Sequence, residues 1–128
     1  MTPRPPISLT FAEGHYFDLW MLVHFLSGVA GGFSNVFWTL SLGVLLAAGG
    51  VLMIVWEFVE RAMGVRESWS NVVLDVVVGL AGVLLAATVA ARLSYRGEVV
   101  AFFATWGTAL LLMALGALAA KRRRKRAS

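Results

Sequence analysis

LWMLVHFLSGVAGGFSNVFWTLSLGVLLAAGGVLMIVW, residues 19–56, carries no Asp, Glu, Lys or Arg between Asp18 and Glu57. These 38 residues decide the fold. A helix rising about 1.5 Å per residue needs about 20 apolar residues to cross a hydrocarbon core of about 30 Å, so the run holds two membrane spans and a tight turn. The turn formers near its middle are Gly31, Gly32, Ser34 and Asn35. They place span one at about 17–34 and span two at about 36–59.

Working outward, a third apolar stretch starts near Ser70, a residue suited to cap a helix N-terminus, and ends near Ala91, just before Arg92. A fourth, from about Val99 to Ala120, is almost entirely Ala, Leu, Gly and Phe. Residues 1–16 read as an irregular interfacial arm, 17–120 as the membrane domain and 121–128 as a basic tail. The arm is no cleavable signal peptide, because Asp18 and His24 interrupt the first apolar stretch and no small-residue cleavage site follows. The expected fold is all-α, a bundle of four transmembrane helices.

Composition agrees with a lipid solvent. Of 128 residues, 59% are hydrophobic and 14% charged, and mean hydropathy is +0.80. Soluble chains run nearer about 45–50% apolar and about 25% charged. A chain this short has too little interior to hide that much apolar matter from water. A soluble enzyme and a free nucleic-acid-binding domain are excluded. The absence of cysteine removes disulfides and thiolate chemistry.

Charge sets the expected orientation. With four spans, Arg4, Arg61, Arg66 and the six basic residues of KRRRKR (121–126) fall on one side, and Arg92 and Arg96 on the other. That imbalance predicts both termini in the cytoplasm. Directly after an apolar helix, KRRRKR is a membrane anchor with affinity for anionic lipid rather than a nucleic-acid patch. The five tryptophans (20, 38, 56, 69 and 106) fall mostly near span ends, as in an aromatic belt.

Ionisable residues inside spans are costly and need a reason. Asp18 and His24 open span one, Glu57 and Glu60 close span two, and Asn71 and Asp75 open span three, all at the same end of the bundle. Glu57 and Glu60 share a helix face, as do Asn71 and Asp75, the latter continued by Gly79 and Gly82. His24 is continued by Gly28 and Gly31. Small residues along these stripes let helices approach closely and bring His24, Glu57 and Asp75 together. Asp18 lies on another face and is left at the interface, and Glu60 reads as a surface group pairing with Arg61 or Arg66. Only 16 residues separate Asp75 from Arg92, about 24 Å of helix, so Asp75 falls inside the membrane edge.

Asp18…His24-x-x-x-Gly28, Trp56-Glu57-x-x-Glu60 and Asn71-x-x-x-Asp75-x-x-x-Gly79-x-x-Gly82 together resemble the VanZ-like and YjdF-like group of small bacterial integral membrane proteins. The resemblance covers roughly residues 15–90. It implies a compact helical membrane domain in the cell envelope, in the bacterial inner membrane, with polar residues gathered near one face. The group's name-giving member is linked to resistance against the glycopeptide teicoplanin. The family-like positions here are His24, Glu57, Asn71 and Asp75, while the Asp18–His24 spacing is longer than the family pattern.

Three readings of the polar cluster remain open at this stage. It binds a lipid head group, with Arg61 and Arg66 bent over the site. Or His24, Glu57 and Asp75 hold a divalent metal ion or relay protons, for catalysis or transport. Or the chain is an accessory subunit of a larger membrane complex, or a homo-oligomer, with Gly107, Ala114 and Ala117 offered to a partner helix and the cluster as internal glue. No Ser–His or Cys–His pair, P-loop, HExxH or dinucleotide fingerprint is present, so the residues assign no enzyme activity.

Overall fold

The computed structural model describes residues 19–62 and 68–127. The helices are α1 (Leu19–Phe33), α2 (Leu42–Ala62), α3 (Trp69–Ala90) and α4 (Tyr95–Ala127), with a short 3-10 turn at Ser34–Phe37 and no strand among the described residues. All four are long and apolar enough to cross a membrane, over Leu19–Phe37, Leu42–Ala62, Trp69–Ala90 and Tyr95–Ala119. The chain is an integral membrane protein built as a four-helix bundle. The arm at 1–16 and Asp18 lie outside the described residues.

The helices are not equivalent. α1 and α3 form the inner pair, α2 packs chiefly on α3, and α4 packs on α1, giving the spatial order α2–α3–α1–α4. The outer helices turn long apolar rows outward: Leu52 is 68% exposed, Phe58 62%, Val100 67% and Phe103 64%. Such surfaces are tolerated in lipid and not in water. Conversely, among the described residues the buried polar or charged groups are His24, Glu57, Asn71 and Asp75. Apolar outside and polar inside is the arrangement expected of a bundle in a bilayer.

Backbone contact through glycine brings α1 and α3 together. An added Cβ on Gly28 would fall on the Gly79 carbonyl oxygen, and one on Gly82 would fall on the Phe25 carbonyl oxygen. On Gly32 it would lie 2.5 Å from Ala86 Cβ and 2.8 Å from Val83 O. Gly28-x-x-x-Gly32 on α1 thus meets Gly79-x-x-Gly82 on α3, the small-residue mode of membrane helix packing. Beyond this seam Val29, Phe33 and Ala86 form an apolar core, flanked by Ala101 and Phe102 of α4. Gly31 has nothing within 4 Å of an added Cβ, so the stripe from His24 continues through Gly32 rather than Gly31.

The turn differs from the sequence expectation. Gly31 and Gly32 stay helical, and α2 begins at Leu42 rather than near residue 36. Asn35 makes the turn: its Oδ1 accepts from Leu40 N at 2.7 Å and its Nδ2 donates to Leu40 O at 3.1 Å. The side chain thereby substitutes for a backbone pair. The chain reverses through Thr39, whose φ is 53°, a region unfavourable to a β-branched residue. Asn35→Ala is therefore expected to destabilise the protein by about 1 kcal/mol, and Thr39→Gly to stabilise it by about 1 kcal/mol. Thermal unfolding of both variants in detergent checks the opposite signs.

Two other helix starts move for local reasons. Ser68, not Ser70, caps α3: it is extended (φ −75°, ψ 150°), its Oγ accepts from Asn71 N at 3.3 Å, and the helix begins at Trp69. Ser94 Oγ accepts from Gly97 N at 3.3 Å, so α4 starts at Tyr95, ahead of the expected Val99. α4 continues through the basic tail to Ala127, 33 residues in all, about 50 Å of helix. The tail thus extends α4 beyond its apolar span. Gly107 has open space around it, not the packing contact a glycine in a span suggests.

Candidate metal centre

The site lies about one and a half turns inside the bundle. Asp75 comes six residues after the first residue of α3, a depth of about 9 Å from that helix end, with His24 near the described start of α1 and Glu57 near the described end of α2. Because α1 and α3 leave that end of the bundle while α2 returns to it, all three side chains fall at one level.

One ligand atom from each of His24, Glu57 and Asp75 lies within 4.8 Å of the other two. His24 Nε2 stands 3.8 Å from Glu57 Oε1. Burial is nearly complete, with exposures of 4% for His24, 8% for Glu57, 3% for Asn71 and 0% for Asp75. Asn71 Nδ2 donates to Asp75 Oδ2 at 2.9 Å, one helical turn away on α3, and sets the orientation of that carboxylate. Second-partner hydrogen bonds of this kind commonly fix ligating carboxylates.

The next layer inward is the floor of the site. Each site residue is followed or preceded by four positions by a packing residue: Gly28 after His24, Gly79 after Asp75, and Met53 before Glu57. A Cβ on Gly79 would lie 2.7 Å from Met53 Cε and 2.8 Å from Sδ, and Gly28 abuts the Gly79 carbonyl from the other side. Three helices therefore meet at Gly79, one turn beneath the cluster. Met53 was missed in the sequence; its i−4 spacing from Glu57 on the same face is the signal that identifies it.

Among the secondary residues, Glu60 accepts from Trp56 Nε1 at 2.8 Å. Arg61 is exposed and stacks over the Trp69 ring at 4.5 Å, bracing the end of α2 against the start of α3. Arg66 lies outside the described residues. No lysine or arginine is buried among the described residues.

Chemically, one imidazole and two carboxylates form a donor set for a borderline divalent ion such as Mn, Fe, Co or Zn. A tetrahedral ion with bonds of about 2.0–2.2 Å needs its ligand atoms about 3.3–3.6 Å apart. The present spacing closes to that by side-chain rotation of about 1 Å or less for each group, without moving the helices. Three protein ligands leave at least one coordination position open, the pattern of sites where the metal acts on water or substrate rather than only on structure. No family model matches the chain, and neither does any curated protein or solved structure.

Proposed function

We propose that this protein is a divalent-cation-binding membrane protein, with the ion held by His24, Glu57 and Asp75 and the Asp75 carboxylate oriented by Asn71. The observation that carries it is the convergence of the three donors within 4.8 Å at full burial. A divalent ion would offset the charge of two carboxylates in a low-dielectric interior while using the imidazole as well. Direct binding of a lipid phosphate at the same carboxylates is electrostatically opposed unless a cation stands between.

The site lies near one end of the bundle. The charge imbalance of the loops and tail favours that end as cytoplasmic, and the resemblance to VanZ-like proteins favours the inner membrane of a bacterial envelope. When bound, the ion would supply a Lewis acid and an activated water one and a half turns below the head groups.

Elemental analysis of protein extracted in mild detergent tests the reading. About one divalent ion per chain is expected in the wild type, with loss of most of it in Glu57→Gln and in His24→Ala. Metal at background in the wild type, under conditions where the protein is monodisperse, would sink it.

A further inference from the structure

Glu57 belongs to two places at once. On one side it meets His24 and Asp75; on the other it forms the inner wall of a groove of about 330 Å³ between α2 and α3. Ile54, Phe58, Val73 and Val77 make the walls, and Arg61 and Trp69 stand at the end nearest the helix termini. All four wall residues are exposed on the outer surface of the bundle, so the groove opens sideways toward lipid. It runs about 11 Å along α2, from Ile54 to Arg61, most of the depth of one leaflet of about 15 Å.

Resting on the metal-site reading, we propose that this groove holds one acyl chain of an anionic phospholipid, with its phosphate at Arg61, and that phosphate-bearing membrane lipid is the substrate class of the site. Charge and shape select this occupant over another helix. The groove is apolar along its length, and among the described residues lining it the cationic group is Arg61, at the interfacial end. The guanidinium is already placed there, 4.5 Å over the Trp69 ring centroid, and its planar fork of N–H donors matches the geometry of a phosphate. A partner helix brings an anion to that point only where it carries an acidic residue there, whereas every anionic phospholipid carries its phosphate at that level. A lipid so held has its head group at the level of Arg61, one turn of α2 from Glu57, within reach of an ion on the carboxylate.

Native mass spectrometry of the purified full chain, offered phosphatidylglycerol or phosphatidylcholine in the same detergent, tests the proposal. The wild type is expected to retain one phosphatidylglycerol per chain with at least tenfold preference over phosphatidylcholine. Arg61→Ala should bring that preference close to one, and Arg61→Lys should keep most of it. Val73→Trp, which fills the groove from an outward-facing position without touching the seam, should lose both lipids. Equal retention of the two lipids by the wild type, or retention of phosphatidylglycerol by Val73→Trp, overturns the proposal, as does a dimer that Val73→Trp dissociates. Metal content measured on the same samples separates the two readings. Lipid retained without metal fails the metal site alone, and metal retained without lipid preference fails the groove alone.

Discussion

Gly28→Leu is expected to abolish the native packing of α1 on α3, with a loss of at least about 3 kcal/mol in detergent unfolding and a broad, aggregated gel-filtration profile. The physical reason is that even the first carbon of a side chain would coincide with the Gly79 carbonyl oxygen. Backbone cannot rotate away as a flexible side chain can, so the helices must separate. Separation of α1 from α3 also removes His24 from Asp75, and Gly28→Ala should therefore lower metal content even where the protein still folds. Gly31→Ala and Gly43→Ala are the matched controls, since neither added Cβ has anything within 4 Å. Both are helical, so each should be neutral or stabilising by up to about 1 kcal/mol. Equal losses at Gly28 and Gly31 would show that the seam does not run through Gly28.

The second large effect reverses sign with the ion. Asp75 is fully buried, and Asp75→Asn replaces a carboxylate by an amide of nearly the same shape whose Oδ1 still accepts from Asn71. With chelator present, the variant should be as stable as the wild type or more so, because a buried group that carries charge has been exchanged for a neutral one. With Mn or Zn at about 100 times Kd, the wild type should gain about 2.7 kcal/mol through binding to the folded state alone, and Asp75→Asn should gain little. The stability order of the two proteins would then cross over between chelator and ion. Thermal unfolding of both, with and without ion, reads this directly. No ion-dependent shift in the wild type, together with a less stable variant in both buffers, would make Asp75 a structural partner of Asn71 only.

How far each feature could be read in advance follows from the range of the interaction behind it. The four spans are properties of continuous apolar stretches, and length against bilayer thickness is enough to find them. The level shared by His24, Glu57 and Asp75 follows from alternating span direction, and their faces follow from i, i+3 and i, i+4 spacing. The helix boundaries were less accessible. Ser68 and Ser70 are both acceptable caps by residue type, and only the extended backbone at Ser68 decides between them. Gly31 and Gly32 look equally like turn formers; what distinguishes them is a neighbouring helix, for Gly32 abuts Val83 and Ala86 while Gly31 faces open space.

By itself the sequence determined that the chain lives in a membrane, that it crosses four times, and that its costly polar residues gather at one end, because each of these depends on hydropathy and on position along a helix. Tertiary structure alone decided the order α2–α3–α1–α4, the packing of Met53 on Gly79, the turn made by Asn35, and the place of Glu57 between a buried cluster and a lipid-facing groove. Those depend on which helix lies against which. In a bilayer that choice is made by close contact between backbones and small side chains rather than by hydrophobicity, which is the same on every side.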